Sequence, residues 1–166
     1  ITYRQSLVKV SHLANVLKNN GIKKGDRVCL YMPMIPELAI DMLACARVGA
    51  VHSIVFAGFS SSAIARRIND SECKMLITAN EVYRGSKRVN LKEICDKALE
   101  ETPSIESVIV YRRTVEPTLM KEGRDRFWID ELQKAEKDCP AEVMDAEDML
   151  FILYTSGSTG RPKGMV

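Results

Sequence analysis

Leu153-Tyr154-Thr155-Ser156-Gly157-Ser158-Thr159-Gly160-Arg161-Pro162-Lys163-Gly164 is the stretch that decides the fold of this chain. The six residues from Met149 to Tyr154 that lead into it are all apolar. A short apolar run bounded by glycine and proline reads as a buried strand. The loop that follows has the chemistry of a phosphate cradle. Gly157 and Gly160 let the backbone turn so that several N–H groups converge on an anion. The hydroxyls of Thr155, Ser158 and Thr159, beside Ser156, donate to phosphate oxygens without adding charge, and Lys163 supplies a mobile positive charge. The spacing is not that of the common P-loop. Pro162 falls five residues after Gly157, which breaks G-x-x-x-x-G-K-[ST], and G-x-G-x-x-G is absent as well. A flexible Gly/Ser/Thr linker is the competing reading on composition alone. The apolar run on one side and Pro162-Lys163-Gly164 on the other favour the cradle.

The rest of the chain alternates helix and strand. Thr2 and Gln5 fit a capping box, and Leu7, Val10, Leu13, Ala14 and Leu17 recur at helical spacing up to Gly21. Arg27 to Met32 reads as a strand. Pro36 opens a second helix that runs to about Arg47. Val51 to Phe56 is the next strand, Ala57-Gly58 a tight turn, and Ser60 to Ser62 cap a third helix. Lys74 to Thr78 is a strand followed by a polar loop, Ala79 to Arg88. Leu91 to Leu99 reads as helix and Ser107 to Tyr111 as strand. A charged segment, 112–148, carries one helix near Ile129 to Glu136, and Trp128 anchors it to the rest.

Helix–strand alternation with short connections predicts an α/β fold, a parallel sheet covered by helices. In such sheets ligands bind outside the carboxyl ends of the strands. Three strand-end loops have suitable chemistry: Phe56-Ala57-Gly58, Tyr83 to Arg88, and Thr155 to Lys163. Taken alone, Arg84-Gly85-Ser86-Lys87 is a solvated charged turn and Phe56 the end of a core strand. His52 reads as a hydrogen-bonded core histidine, and Met32, Met34 and Met42 as core filler.

Composition excludes several classes. The 166 residues suffice for one domain, and 24 basic residues against 22 acidic ones leave a net charge of +2, so neither nucleic acid nor an anionic membrane is an expected partner. No apolar run has membrane-spanning length. Cys29, Cys45, Cys73, Cys95 and Cys139 are scattered without a C-x-x-C pair, which suits buried free thiols in an intracellular compartment, cytoplasm or organelle matrix. With two histidines at unsuitable spacing, no zinc site is expected. The chain lacks an initiator Met and stops two residues after Gly164. We read 1–166 as a single partial domain of a longer polypeptide.

Tyr154 to Gly164 resembles the phosphate loop of the adenylate-forming enzymes, the superfamily of acyl-CoA synthetases and luciferases. Tyr31-Met32-Pro33-Met34-Ile35-Pro36-Glu37 and the segment Met42 to Ser60 narrow this to the AMP-forming acetyl-CoA synthetases, with propionyl-CoA synthetases close behind. The resemblance implies part of the large N-terminal domain of a two-step ligase that joins acetate, or another short acyl acid, to coenzyme A by way of acetyl-AMP. It implies that Thr155, Ser156, Gly157, Ser158, Thr159, Gly160 and Lys163 hold ATP phosphates. Phe56, Ala57 and Gly58 then lie against the adenine of coenzyme A, and Arg84, Gly85, Ser86 and Lys87 meet its nucleotide end. Lys87 stands where many members carry a second Arg. The Mg2+ ligand, the carboxylate pocket and the catalytic lysine of that family fall beyond Val166, so no catalytic residue is expected here. A non-catalytic nucleotide-binding module is the rival from another class. A dinucleotide-dependent dehydrogenase is disfavoured, because no glycine fingerprint follows the strand Arg27 to Met32.

Overall fold

The computed structural model describes residues 1–155 and 162–166. Helix α1 spans Tyr3–Asn19. Its capping box is formed: Gln5 N donates to Thr2 Oγ1 at 3.3 Å and Thr2 N donates to Gln5 Oε1 at 2.9 Å. Strand β1 (Arg27–Tyr31), helix α2 (Pro36–Arg47), strand β2 (Val51–Ile54) and helix α3 (Ser61–Ser71) follow. The Ser60 side chain caps α3 by accepting from Ala63 N. Next come β3 (Met75–Ala79), β4 (Glu81–Arg84), β5 (Lys87–Asn90), α4 (Leu91–Leu99), β6 (Ser107–Tyr111), β7 (Asp125–Phe127), α5 (Trp128–Lys134), β8 (Phe151–Thr155) and β9 (Lys163–Met165).

The main sheet has the order β7-β6-β3-β1-β2-β8-β9, parallel except for the β8–β9 pair. The chain enters at β1, steps to β2 on one side, then crosses to β3 on the other. Right-handed crossovers in opposite directions place α2 on one face and α3 with α4 on the other. The packing agrees, with α2 against α1 and α3 against α4. The buried helix residues Leu13, Leu17, Ala44, Ile64 and Ile68 close over Val28, Cys29, Leu30, Leu76 and Ile77 in the central strands. Those strands are buried on both faces, as a doubly covered parallel sheet requires.

Several expectations need correction. Residues 79–88 are not a loop throughout. Glu81 to Arg84 and Lys87 to Asn90 pair as a hairpin about Gly85-Ser86, with Val82 opposite Val89. The charges at Arg84, Lys87 and Arg88 hide that alternation from a hydrophobicity reading. Strand β7 is short and polar and has no strand pattern, yet it extends β6 in parallel. Strand β8 starts at Phe151 rather than Met149 and is not fully buried. Ile152 faces α3 and is buried, whereas Phe151 and Leu153, on the opposite face, are exposed among the described residues. Met34 is exposed, because it lies in the loop between β1 and α2 rather than on a packed face. His52 is buried in the core, but its Nδ1 has no partner among the described residues.

Trp128 does anchor the charged segment, edge-on to Tyr111 at 5.6 Å. Lys92 is buried on α4 and pairs with Asp96 at 2.7 Å and with Asp125 at 2.8 Å. Arg124 binds the same two carboxylates at 2.8 Å and 2.6 Å. Two cations thus share two anions, so every charge in this group has partners. Asp41 on α2 is also buried, and neither oxygen finds a donor at hydrogen-bond geometry. Burial pushes its carboxyl well above the usual range, and the facing Trp128 indole opposes that only in part.

The two carboxyls make opposite predictions. Burial alone would raise the Asp125 pKa, but bonds from Arg124, Lys121 N and Lys92 hold it below 3.8. Its contribution is therefore fully present above that value and is lost as pH falls through the depressed folded value. Asp125→Asn should cost about 3 kcal/mol near neutrality, the lower end for breaking a buried pair, since Asp96 still serves Lys92. Asp41 has a raised folded pKa, so its penalty grows as pH rises above the unfolded value. Thermal melts between about pH 3 and about pH 7 should show Asp41→Asn gaining on the unmutated chain with rising pH, and Asp125→Asn losing.

Candidate functional site

The loops after β1, β2, β3 and β8 leave the same edge of the sheet, its carboxyl edge. The loop after β2 carries Phe56, Ala57, Gly58 and Phe59. Its position is fixed from below by Tyr31, whose hydroxyl donates to Phe59 O at 3.0 Å. Burial pushes that phenol up to about 12, so it stays a donor at neutral pH. Phe56 and Phe59 meet edge to face at 6.1 Å, and both are partly exposed at the edge.

The hairpin β4–β5 brings Arg84 to this loop. Arg84 Nη2 donates to Ala57 O at 2.8 Å, and the guanidinium carbon lies 4.9 Å from the centre of the Phe56 ring. Gly58 makes this possible, since a Cβ there would occupy the space of the guanidinium. Arg84 is paired with Lys87 across the hairpin, so the two side chains leave the same face of the ribbon. Gly85, at φ +58, supplies the left-handed turn that sets this pairing. Ser86 completes the turn, and Lys87 is exposed without a partner among the described residues. Arg88 is engaged instead, with Glu81 at 3.5 Å and Glu116 at 3.4 Å.

The hairpin has a root that sequence reading missed. Asn80 is buried, and its Oδ1 accepts from Arg113 N at 2.9 Å and Thr114 N at 3.4 Å, while its Nδ2 donates to Thr114 Oγ1 at 3.0 Å. Its carbonyl accepts from Leu91 N at 3.0 Å and Lys92 N at 3.3 Å, tying the hairpin to the start of α4. An asparagine directly after a strand, next to a charged turn, is the only sequence cue to this hub, and it is shared with many ordinary turns.

Of the proposed phosphate loop, Thr155 and Lys163 are described, and they are paired across β8 and β9. Ser156, Gly157, Ser158, Thr159 and Gly160, with Arg161, lie outside the described residues. Both loop ends stand at the same sheet edge as Phe56, because β8 runs parallel to β2 with Ser53 opposite Ile152. The structure thus brings Phe56, Ala57, Gly58 and Arg84 into one cluster, with Lys87 on the adjoining face of the hairpin. Among the described residues no three His, Cys, Asp or Glu side chains converge as a metal would need. Nor, among them, is any helix long and apolar enough to cross a membrane. The five cysteines are free and buried.

The model of the AMP-binding enzyme family matches residues 1–166. Acetyl-coenzyme A synthetase of Rubrobacter xylanophilus is 56% identical over the whole chain, which covers 26% of that protein. Acetyl-coenzyme A synthetase 2 of Pseudomonas aeruginosa is also 56% identical, with the same 26% covered. Among solved structures, acetoacetyl-CoA synthetase from Streptomyces lividans superposes with a TM-score of 0.87 at 27% identity, over all of this chain and 25% of that one. The chain belongs to the AMP-binding enzyme family and spans about a quarter of the length of the relatives it matches.

Gly58→Ala tests the cluster directly. The methyl group should expel the Arg84 guanidinium from Phe56 and leave the sheet intact. The loss of one charge-assisted bond and one ring contact should cost about 2 kcal/mol. Urea denaturation gives that cost, and the Arg84 Nε–Hε signal in an NMR spectrum should move toward that of a solvated arginine. An unmoved signal would contradict the packing described.

Proposed function

We propose that this chain is the portion of an acetate–CoA ligase that carries the ATP phosphate loop and one wall of the coenzyme A site. The ligase works in two steps. A carboxylate oxygen of acetate attacks the α-phosphorus of ATP, the bond to the β-phosphate oxygen breaks, and pyrophosphate leaves with acetyl-AMP remaining. The sulfur of coenzyme A then attacks the acyl carbon, loses its proton, and AMP departs with the bonding pair. Thr155, Ser156, Gly157, Ser158, Thr159, Gly160 and Lys163 serve the first step. They hold the β- and γ-phosphates so that charge developing on the leaving pyrophosphate meets donors already in place. Phe56, Ala57 and Gly58 offer the adenine of coenzyme A an apolar surface without a side chain in the way. Arg84 and Lys87 meet its phosphates, Arg84 with a planar fork and Lys87 with a point charge. The described residues offer no ligand set for the magnesium that accompanies ATP.

The observation that carries this reading is the laying of Arg84 over Phe56 at the carboxyl edge of the sheet, at 4.9 Å and with Gly58 beneath. A guanidinium held beside an apolar ring and an open glycine suits a ligand that is aromatic at one end and phosphorylated at the other. Acetate is favoured as the acyl group because the matched relatives are acetyl-coenzyme A synthetases.

Two variants of the full-length protein separate the half-reactions. Arg84→Ala should raise the apparent KM for coenzyme A about tenfold to a hundredfold, the value of a charge-assisted hydrogen bond, and leave acetate-dependent ATP–pyrophosphate exchange nearly intact. Lys87→Ala should cost less. Thr159→Val should do the reverse, slowing the exchange by about a hundredfold while thioester formation from supplied acetyl-AMP continues. Equal losses in both assays for Arg84→Ala would remove it from the coenzyme A site.

A further inference from the structure

We infer that Arg67 is a positioning residue, a strut that fixes the loop carrying Phe56 to Phe59 relative to the root of the phosphate loop at Tyr154. Arg67 lies on α3 and is only 8% exposed. Its guanidinium carbon stands 4.8 Å from the centre of the Phe59 ring and 5.2 Å from that of Tyr154. The two rings come from different loops of the carboxyl edge, and one cation serves both. Its Nη1 donates to Ala63 O at 2.8 Å, one turn back on its own helix. No carboxylate among the described residues pairs with it, although burial disfavours its charge. A buried arginine whose partners are two ring faces and a carbonyl depends on those rings for compensation. The rings in turn are held at a fixed separation by the planar group between them.

Tyr154 is pinned from the helix side as well. Its hydroxyl donates to Asp70 Oδ2 at 2.6 Å, and burial, followed by that carboxylate, raises its phenol. Phe59 is held by Tyr31 through its carbonyl. Each ring is thus tethered to the body of the fold, and Arg67 closes the gap between the tethers. On the ligase reading proposed above, one tether supports the coenzyme A wall and the other the ATP loop. Arg67 touches neither substrate and acts through Phe59 and Tyr154.

The test is a double-mutant cycle in the full-length protein, with Phe59→Leu made in the unmutated background and in Arg67→Met. Hydrogen–deuterium exchange of the segment 150–155 reports whether the loops are linked. Phe59→Leu should speed that exchange roughly threefold to tenfold when Arg67 is present and add nothing further once Arg67 is Met, the signature of a shared element. The kinetic readout is the KM for ATP in pyrophosphate exchange. It should rise about threefold in Phe59→Leu at nearly unchanged kcat, and by a similar factor in Arg67→Met with no further rise in the double variant. Arg67→Lys, which keeps the charge but not the planar face, should show a smaller shift of the same kind, and it takes the place of Arg67→Met in the cycle should that variant not fold. Additive exchange effects would overturn the strut whatever the kinetics show. So would a fall in kcat with unchanged KM and a lowered Tm, the pattern of general destabilisation. Linked exchange in a protein whose unmutated form catalyses no ATP–pyrophosphate exchange would keep the strut and discard the ligase reading.

Discussion

A β-strand that must be parallel to both its neighbours can be reached only by crossovers over the sheet, and those crossovers share one hand. In this chain β1 is such a strand, with β2 on one side and β3 on the other. The first crossover leaves by one face and the second returns by the opposite face. The loops after β1, β2 and β3 therefore part at the same edge and leave a crevice there. Everything proposed for this protein sits on that edge: the Phe56 loop after β2, the hairpin after β3, and Thr155 at the end of β8. The chemistry of these loops is local, but their meeting is a property of the crossovers.

The loops are then held together by a recurring contact, a guanidinium against an aromatic face. Arg84 lies on Phe56, and Arg67 lies between Phe59 and Tyr154. A surface ion pair would do this poorly, because its two long side chains remain mobile and its attraction is screened. A planar cation on a ring loses less freedom for each contact made and tolerates partial burial. Elsewhere the fold uses full charge pairing, as at Lys92, where both carboxylates and a second cation are present. The contrast tracks the work of the two regions. The β7 edge is sealed, whereas the carboxyl edge keeps polar groups unspent for a ligand.

Much of this was legible in the sequence, and the misses share a cause. Periodicity located α1, α2, α4 and β6 closely, because each has an apolar stripe and a capping or turn residue at its ends. It also gave the parallel α/β order. The hairpin β4–β5 and strand β7 were missed, since both are charged and are stabilised by register and ion pairs instead of burial. The cluster of Phe56 to Gly58 with Arg84 was legible only through the family resemblance. Local sequence made one a core strand end and the other a solvated loop. Asn80 and Arg67 were not legible at all, because their roles depend on partners 34 residues away at Thr114 and 87 away at Tyr154. The reading of β8 as fully buried failed for a related reason. Hydrophobicity shows that a face can be covered, and only packing shows whether it is.

The placement of Arg84 has a consequence for how a ligand would enter on the proposed reading. Its guanidinium occupies one face of the Phe56 ring, the surface offered to adenine. A ring contact of this kind at a partly exposed site is worth about 0.5–1 kcal/mol. A charge-assisted bond from the same guanidinium to a phosphate oxygen is worth about 1.5–3 kcal/mol. The second exceeds the first, so a phosphorylated ligand draws Arg84 off the ring and the vacated face becomes available to the base. Adenine stacking and phosphate capture are then one exchange rather than two independent contacts. Arg84 keeps Phe56 covered while the site is empty, and Gly58 leaves room for both arrangements. A lysine at position 84 could take the phosphate, but it would shield the ring less well beforehand, because an ammonium has no flat face to lay on it.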